Sequence, residues 1–231
     1  MAHAPVLDRK IMELLPEDID ERGVLDVASG LGSWGYQIRT RARGAPRITG
    51  LDIWVPYIRR VCSLSIYDDM VCADARRLPF RDSSFHAILA CEVLEHLRRE
   101  EGADFLTELE RVARRILIVT TPLGFTYQGD VNGNVHERHV SAWKKEDLEG
   151  MGYDVRVLNV LPLPRTLRMI DGMRRRIFRL PPSPKEIVAV KLFSFKVSPR
   201  REPEALSRRD EGLYPNIVHP APVVAEQFSG D

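Results

Sequence analysis

Two aspartates and a glycine-rich turn have the residue types and spacing that suit a nucleotide-like ligand. An apolar run at 24–27 contains Asp26 and leads into the sequence GLGSWG at 30–35. Asp52 follows the turn by about 20 residues, the spacing of a ribose-binding acid. Glycines at such a turn adopt backbone angles closed to other residues and let a ligand approach the main chain. A helix beginning near Ser33 would direct its free N–H groups towards that ligand.

Two kinds of ligand fit this turn. The spacing of Gly30, Gly32 and Gly35 is that of a dinucleotide fingerprint, although a pattern this short is weak evidence alone. The carboxylate of Asp26, just before the turn, would repel a pyrophosphate and attract a cation. S-adenosylmethionine (SAM) carries an adenosine, an ammonium and a sulfonium but no phosphate. Acids at Asp26 and Asp52 therefore favour SAM over a dinucleotide.

Several features in this order resemble the class I SAM-dependent methyltransferases, in particular the type 11-like family. In that family an acid, a small-residue turn and later strand-end acids follow one another, and the likeness here runs from about Gly23 to Phe195. Ala28-Ser29 stands where the family usually has Gly-Cys or Gly-Ala, which are small residues too. The hexapeptide at 92–97, EVLEHL, resembles the family's Glu-His-Leu signature after the fourth strand.

The resemblance implies a set of cofactor contacts. Asp52 would accept hydrogen bonds from the ribose, Asp74 would accept from the adenine amine, and His96 would lie beside the methionine half. A helix cap at Asp52 and a solvated helix start at 95–96 are the open alternatives. The expected SAM-binding residues are Asp26, Ser29, Gly30, Gly32, Asp52, Ile53, Asp74, Ala75, Cys91, Glu92 and His96.

The irregular segment 124–141 should lie over the methyl acceptor, because it follows the fifth strand at the ligand-binding edge of the sheet. An amine or hydroxyl acceptor must lose a proton, and His139 is the tentative catalytic residue that would take it. A histidine that only anchors the loop is the open alternative. His136, Glu137 and His139 are also metal-binding types. No second Cys or His cluster completes a coordination shell, so we expect no metal site.

Apolar runs alternate with amphipathic stretches of helical length, which predicts βαβ units. The expected fold is α/β, a doubly wound, mostly parallel, seven-stranded Rossmann-like sheet whose antiparallel last strand is implied by the resemblance. Residues 1–196 would form the methyltransferase domain, with a basic helical insertion at 162–184. Residues 197–231 are rich in Pro, Arg and Glu, and their composition predicts a disordered tail.

Length, net charge and cysteine content limit the classes of protein to which this chain can belong. The 231 residues suffice for one α/β domain, and a net charge of +1 gives no overall reason to expect a nucleic-acid partner. No apolar run approaches the ~18–20 residues of a membrane span, so stable membrane insertion is not expected. The N-terminus lacks the plan of a signal peptide. Three cysteines without metal-ligand spacing favour a reducing, cytoplasmic location.

We therefore expect an enzyme that transfers the methyl group of SAM to a small-molecule, lipid or glycan acceptor. The alternatives are a non-catalytic SAM-binding regulatory protein and an RNA or protein methyltransferase. An anionic acceptor would suit the arginines of the insertion, because guanidinium forks bind phosphate and carboxylate. Nucleic acid remains an alternative that is not favoured, and the sequence predicts no oligomeric state. The arginines in question are Arg165, Arg168, Arg174, Arg175, Arg176 and Arg179.

Overall fold

The computed structural model describes residues 5–19, 21–159, 185–193 and 217–218. The basic insertion predicted at 162–184, with its arginines, lies outside the described residues. Most of the predicted tail at 197–231 does so too.

Helices and strands alternate along most of the described chain. The helices are α1 (Pro5–Leu14), α2 (Ser33–Arg41), α3 (Val55–Cys62), α4 (Arg99–Val112) and α5 (Lys145–Glu149). The strands are β1 (Val24–Val27), β2 (Ile48–Asp52), β3 (Asp69–Cys72), β4 (Phe85–Cys91), β5 (Ala113–Pro122), β6 (Asp154–Asn159), β7 (Lys185–Leu192) and β8 (Ile217–Val218). Short 3-10 turns occupy Leu94–His96 and Val135–Glu137.

One sheet holds all these strands, in the order β6-β7-β5-β4-β1-β2-β3-β8. Strands β1 to β5 run parallel, and β7 lies antiparallel between β5 and β6. The predicted doubly wound, mostly parallel Rossmann-like sheet with a late antiparallel strand is confirmed. Strand order reverses on either side of β1, which pairs with both β2 and β4. Such a switch point opens a ligand crevice at the carboxyl ends of the strands.

The eighth strand was not predicted. Val218 and Ile217 pair antiparallel with Met70 and Val71 of β3. The prediction of seven strands and of a disordered tail over 197–231 is therefore corrected at these two residues. For the rest of that stretch it stays a prediction.

The central strands are buried along their whole length, as strands covered on both faces should be. Successive side chains alternate between the two faces. Leu25 and Ile88 belong to the core on one face, and Val24 and Leu89 belong to the core on the other. None of the helices in the described ranges has the length and apolar run that a membrane crossing needs.

Candidate active site

A cavity of about 580 Å³ lies where the carboxyl ends of β1 to β4 meet. Its walls come from the glycine turn after β1, the ends of β2 and β4, the segment after β3, and the loop between β5 and α5. A cavity of this size accommodates a drug-sized ligand. The switch point of the sheet is thus also the place where the predicted site residues converge.

Asp52 closes the glycine turn and faces the cavity. Its Oδ2 accepts a hydrogen bond from the Gly30 N–H at 2.8 Å, and its Oδ1 accepts from the Trp54 N–H at 2.7 Å. Gly30 has φ of +55°, so a side chain there would be strained. Burial raises the pKa of Asp52 above its ordinary value. Each carboxylate oxygen keeps a lone pair for a ligand hydroxyl, as a ribose-binding acid requires.

Asp26 lies beneath the turn and is 1% exposed. Its Oδ2 accepts from the Gly35 N–H at 3.1 Å and from the Tyr67 hydroxyl at 2.6 Å. Burial raises the pKa of Asp26 to about 7. Gly32, with φ of +82°, precedes the first residue of α2. Neither Asp26 nor Gly32 lies on the cavity wall. Both shape the turn, and their contact with a cofactor stays a prediction.

The other predicted cofactor contacts all line the cavity. They are Ser29, Gly30, Asp52, Ile53, Asp74, Ala75, Cys91, Glu92 and His96. Asp74 is joined there by Arg76, which was not among the predicted site residues. The Arg76 guanidinium donates to both oxygens of Asp74 at 2.6–3.0 Å, also contacts Glu101, and lowers the pKa of Asp74. Asp74 is therefore paired with a charged side chain, whereas the partners of Asp52 are backbone N–H groups.

The cavity wall carries an excess of acids. Among the described residues, six carboxyl side chains line the cavity against one guanidinium, that of Arg76. The six are Asp52, Asp74, Glu92, Glu101, Glu137 and Glu186. Such a wall attracts a cationic ligand and repels a pyrophosphate. This distribution of charge supports SAM over a dinucleotide.

His139 is buried and does not line the cavity. Its Nδ1 lies 2.6 Å from the Thr126 carbonyl, which can only accept, so Nδ1 carries the proton. Its Nε2 lies 4.0 Å from a carboxylate oxygen of Glu95. The ring packs edge-on against His96, with centroids 4.9 Å apart, and His96 does reach the cavity. His139 is therefore anchored to the loop through Nδ1 and meets the cavity only through His96, and its role as a proton acceptor stays a prediction.

Glu95 connects the 3-10 turn after β4 to the loop above the cavity. Its side chain is 2% exposed, and Oε2 accepts from the Thr121 hydroxyl at 2.9 Å. Its backbone carbonyl accepts from the N–H groups of Val140 and Ser141 at 2.9 and 3.1 Å. Burial raises the pKa of Glu95 well above its ordinary value. No local pattern in the sequence indicated these contacts, because Glu95 and Ser141 are far apart along the chain.

Glu186 is a second residue that the sequence did not reveal. It is the second residue of β7, beside β5, and its carboxyl group lines the cavity wall near Glu92. Burial and the neighbouring charge of Glu92 raise the pKa of Glu186 to about 8. Glu92 has φ of +58°, and its Oε1 accepts from the Thr120 hydroxyl at 2.7 Å. Two acids thus face each other where the methionine half of SAM is expected.

Residues 25–116 match the family model for a methyltransferase domain. This span includes the glycine turn, Asp52, Asp74 and the Glu95-His96 pair. Over these residues the chain carries a methyltransferase domain. No curated protein sequence gives a significant match to the chain.

Solved structures share the fold of this methyltransferase at low sequence identity. A SAM-dependent methyltransferase from Archaeoglobus fulgidus is 17% identical with a TM-score of 0.56, over 82% of this chain and 95% of that one. A putative methyltransferase from Bacillus halodurans is 15% identical with a TM-score of 0.53, over 81% and 97%. The [4+2]-cyclase SpnF is 20% identical with a TM-score of 0.54, over 82% and 81%.

Proposed function

We propose that this methyltransferase binds SAM in the cavity and transfers its methyl group to a small-molecule, lipid or glycan acceptor. The adenosine would lie along Asp52 and Asp74, and the methionine half would extend towards Glu92 and His96. One observation carries the proposal. The backbone of Gly30 and Trp54 holds the Asp52 carboxylate at the cavity wall, at the position where the two ribose hydroxyls are expected.

The excess of acids on the wall supports a cationic cofactor. The ammonium and sulfonium of SAM are both positive, and Glu92 and Glu186 stand close together at the end of the cavity away from Asp74 in the strand order. An ammonium group between them would offset the repulsion by Glu92 that helps to raise the pKa of Glu186. A dinucleotide would bring two further negative charges into the same wall.

The acceptor would enter beneath the loop between β5 and α5. Four large apolar side chains on this loop are exposed, namely Phe125, Tyr127, Val135 and Val140, with Tyr127 at 85% exposure. Such side chains favour an acceptor with an apolar portion, which a lipid or a hydrophobic small molecule provides. SAM supplies an activated methyl group, and the chain would contribute by holding the acceptor atom in line behind it.

The test begins with mass spectrometry of ligand retained by the purified protein. We expect SAM or S-adenosylhomocysteine, and retention of a dinucleotide instead would contradict the proposal. Labelled SAM is then offered with separate pools of small molecules, lipids, glycans, RNA and proteins, and labelled product is measured.

The pools also distinguish the alternatives. Product in the RNA or protein pool alone would replace the proposed acceptor class. Bound SAM without product in any pool would support a non-catalytic regulatory protein.

A further inference from the structure

Three metal-ligand side chains converge beside the acceptor end of the cavity. One carboxylate oxygen of Glu95 and one ring nitrogen each of His96 and His139 all lie within 4.8 Å of one another. Glu95 and His96 belong to the 3-10 turn after β4, whereas His139 comes from the loop after β5. The fold, and not a local sequence pattern, brings them together.

Two of the converging atoms are buried without hydrogen-bond partners. Oε1 of Glu95 and Nε2 of His139 have no partner among the described residues, and their side chains are 2% and 3% exposed. They face each other at 4.0 Å, which is too long for a hydrogen bond. A buried polar atom left unpaired costs about 1–3 kcal/mol. Two such atoms aimed at one point indicate that a group beyond the described residues binds between them.

Both histidines are oriented as metal ligands usually are. Nδ1 of His139 donates to the Thr126 carbonyl at 2.6 Å, and Nδ1 of His96 donates to the Arg138 carbonyl at 3.1 Å. With the proton fixed on Nδ1, the lone pair of each neutral ring lies on Nε2. Histidines that bind metals almost always donate their other ring N–H to a carbonyl or carboxylate in this way. The remaining oxygen of Glu95 is likewise held, by the Thr121 hydroxyl.

The spacing of the three groups fits one ion. Nitrogen and oxygen ligands lie about 2.0–2.2 Å from zinc, so two ligands of one ion are at most about 4.4 Å apart. The pair formed by Glu95 and His139 already meets this limit. The widest separation in the set, at most 4.8 Å, needs only a small rotation of a side chain.

The surrounding charge also favours a cation. Two further carboxyl groups, those of Glu92 and Glu186, line this end of the cavity. Two nearby arginines already have other partners. Arg76 pairs with Asp74, and Arg99 pairs with Asp147 and stacks over the Trp143 ring. A divalent ion would balance this cluster of buried acids.

We propose that Glu95, His96 and His139 bind one divalent first-row transition-metal cation. Two imidazoles and one carboxylate form the ligand set of catalytic zinc sites and of mononuclear iron sites, whereas Mg²⁺ and Ca²⁺ prefer oxygen alone. This site differs from the one considered in the sequence, where His136 and Glu137 were weighed with His139 along a single loop. Because His96 lines the cavity, an open coordination position would face the acceptor. That last consequence rests on the proposed function, whereas metal binding itself does not.

The test uses the untagged chain, stripped with a chelator and titrated separately with Zn²⁺, Co²⁺, Mn²⁺ and Mg²⁺ by calorimetry. We expect one equivalent of at least one transition-metal ion, bound more tightly than Mg²⁺. Co²⁺ should give visible absorption, since it reports coordination directly. Bound metal should raise the Tm, because a ligand specific to the folded state stabilises it. SAM and acceptor are left out, so failure here is distinct from failure of the proposed function.

The variants His139→Ala and Glu95→Gln should each lower metal affinity by at least tenfold. Loss of a residue that only supports a metal ligand already costs about tenfold, so loss of a ligand itself should cost no less. His86→Ala is the matched control, because His86 is also buried but lies at the opposite end of β4. Should either ligand variant fail to fold, His96→Ala tests the same site at a more exposed position. The proposal is overturned if the folded wild type binds no equivalent of metal. It is also overturned if the ligand variants bind as tightly as the His86→Ala control.

Discussion

The two ends of the cavity are built on different principles. At the adenosine end, Asp26 and Asp52 have their carboxylate oxygens bonded to backbone N–H groups of the glycine turn and its neighbours. At the acceptor end, Glu95 and His139 direct buried atoms at each other without a hydrogen bond. The two acids at the first end are paired within the chain, whereas the facing atoms of Glu95 and His139 are left for a ligand or an ion to pair.

The two ends of the cavity should therefore contribute differently to the stability of the fold and to ligand binding. Polar groups that are satisfied internally make the turn rigid before any ligand arrives, which lowers the entropy cost of binding. Polar groups without partners lower the stability of the free protein and raise the affinity for whatever pairs with them. Substitutions at the adenosine end should therefore damage folding or SAM binding, whereas those at the acceptor end should alter metal or acceptor binding.

The largest effect should come from Gly35→Ala. A Cβ at Gly35 would lie 2.3 Å from the ring of Tyr67, which also donates its hydroxyl to Asp26. Overpacking of this kind costs about 1–3 kcal/mol. For a chain of this size each kcal/mol lowers the Tm by about 2–4 °C. Gly129→Ala is the control, because its Cβ would meet only the Tyr127 hydroxyl at 3.5 Å. Equal Tm values for the two variants would show that Tyr67 and the turn move aside to accept the added methyl group, and that the turn is not rigid.

A second effect concerns the pH dependence of stability at Asp26. Its folded pKa of about 7 exceeds the ordinary value of 3.8, so the folded state holds this proton more tightly than the unfolded state. Asp26 therefore stabilises the fold at low pH, and this contribution is lost as the pH rises from 3.8 to about 7. Asp26→Asn keeps an acceptor for Gly35 and Tyr67, because a single oxygen accepts from both.

The measurement is the free energy of unfolding in urea at pH 5 and pH 8 for the wild type and Asp26→Asn. The variant should gain stability relative to the wild type as the pH rises, by an amount on the order of a kcal/mol or more. A difference that stays constant with pH would mean that Asp26 is ionised throughout, and the buried turn would then be described wrongly.

The smallest effect should come from Asp74→Asn. Asp74 is partly exposed and already paired with Arg76, and such pairs contribute about 0–1 kcal/mol. We expect SAM affinity to fall by less than about fivefold, measured by calorimetry. Asp52→Asn should cost more, since Asp52 is buried and faces the ligand through oxygens held by backbone. Equal losses at the two positions would remove the distinction between them.

The adenosine end was largely predictable because its pattern is local. An apolar strand, a glycine turn and a strand-end acid lie within one βαβ unit, and β1 was predicted at its observed bounds. The inward direction of Asp26 was not predictable, because its partner Tyr67 is 41 residues away. Helix α3, which carries Pro56 in its first turn, was also missed.

The acceptor end was harder to predict because its contacts are long-range. Glu186 reaches the cavity only through the antiparallel pairing of β7 with β5. His139 lies in a loop without periodicity, so nothing in the sequence showed that it would meet Glu95 and not the cavity. Strand β8 is two residues long and joins the sheet edge by backbone pairing, which needs no side-chain pattern.

Titration calorimetry with S-adenosylhomocysteine tests the central claim most directly, namely that the Asp52 end of the cavity is a preformed SAM site. The experiment compares chelator-treated wild type with Asp52→Ala, after both are shown to be folded. The wild type should bind one equivalent without metal, and the variant should lose about 1.5–3 kcal/mol, or roughly 10- to 150-fold in affinity. No binding to the folded wild type, or equal binding to both proteins, would contradict the account.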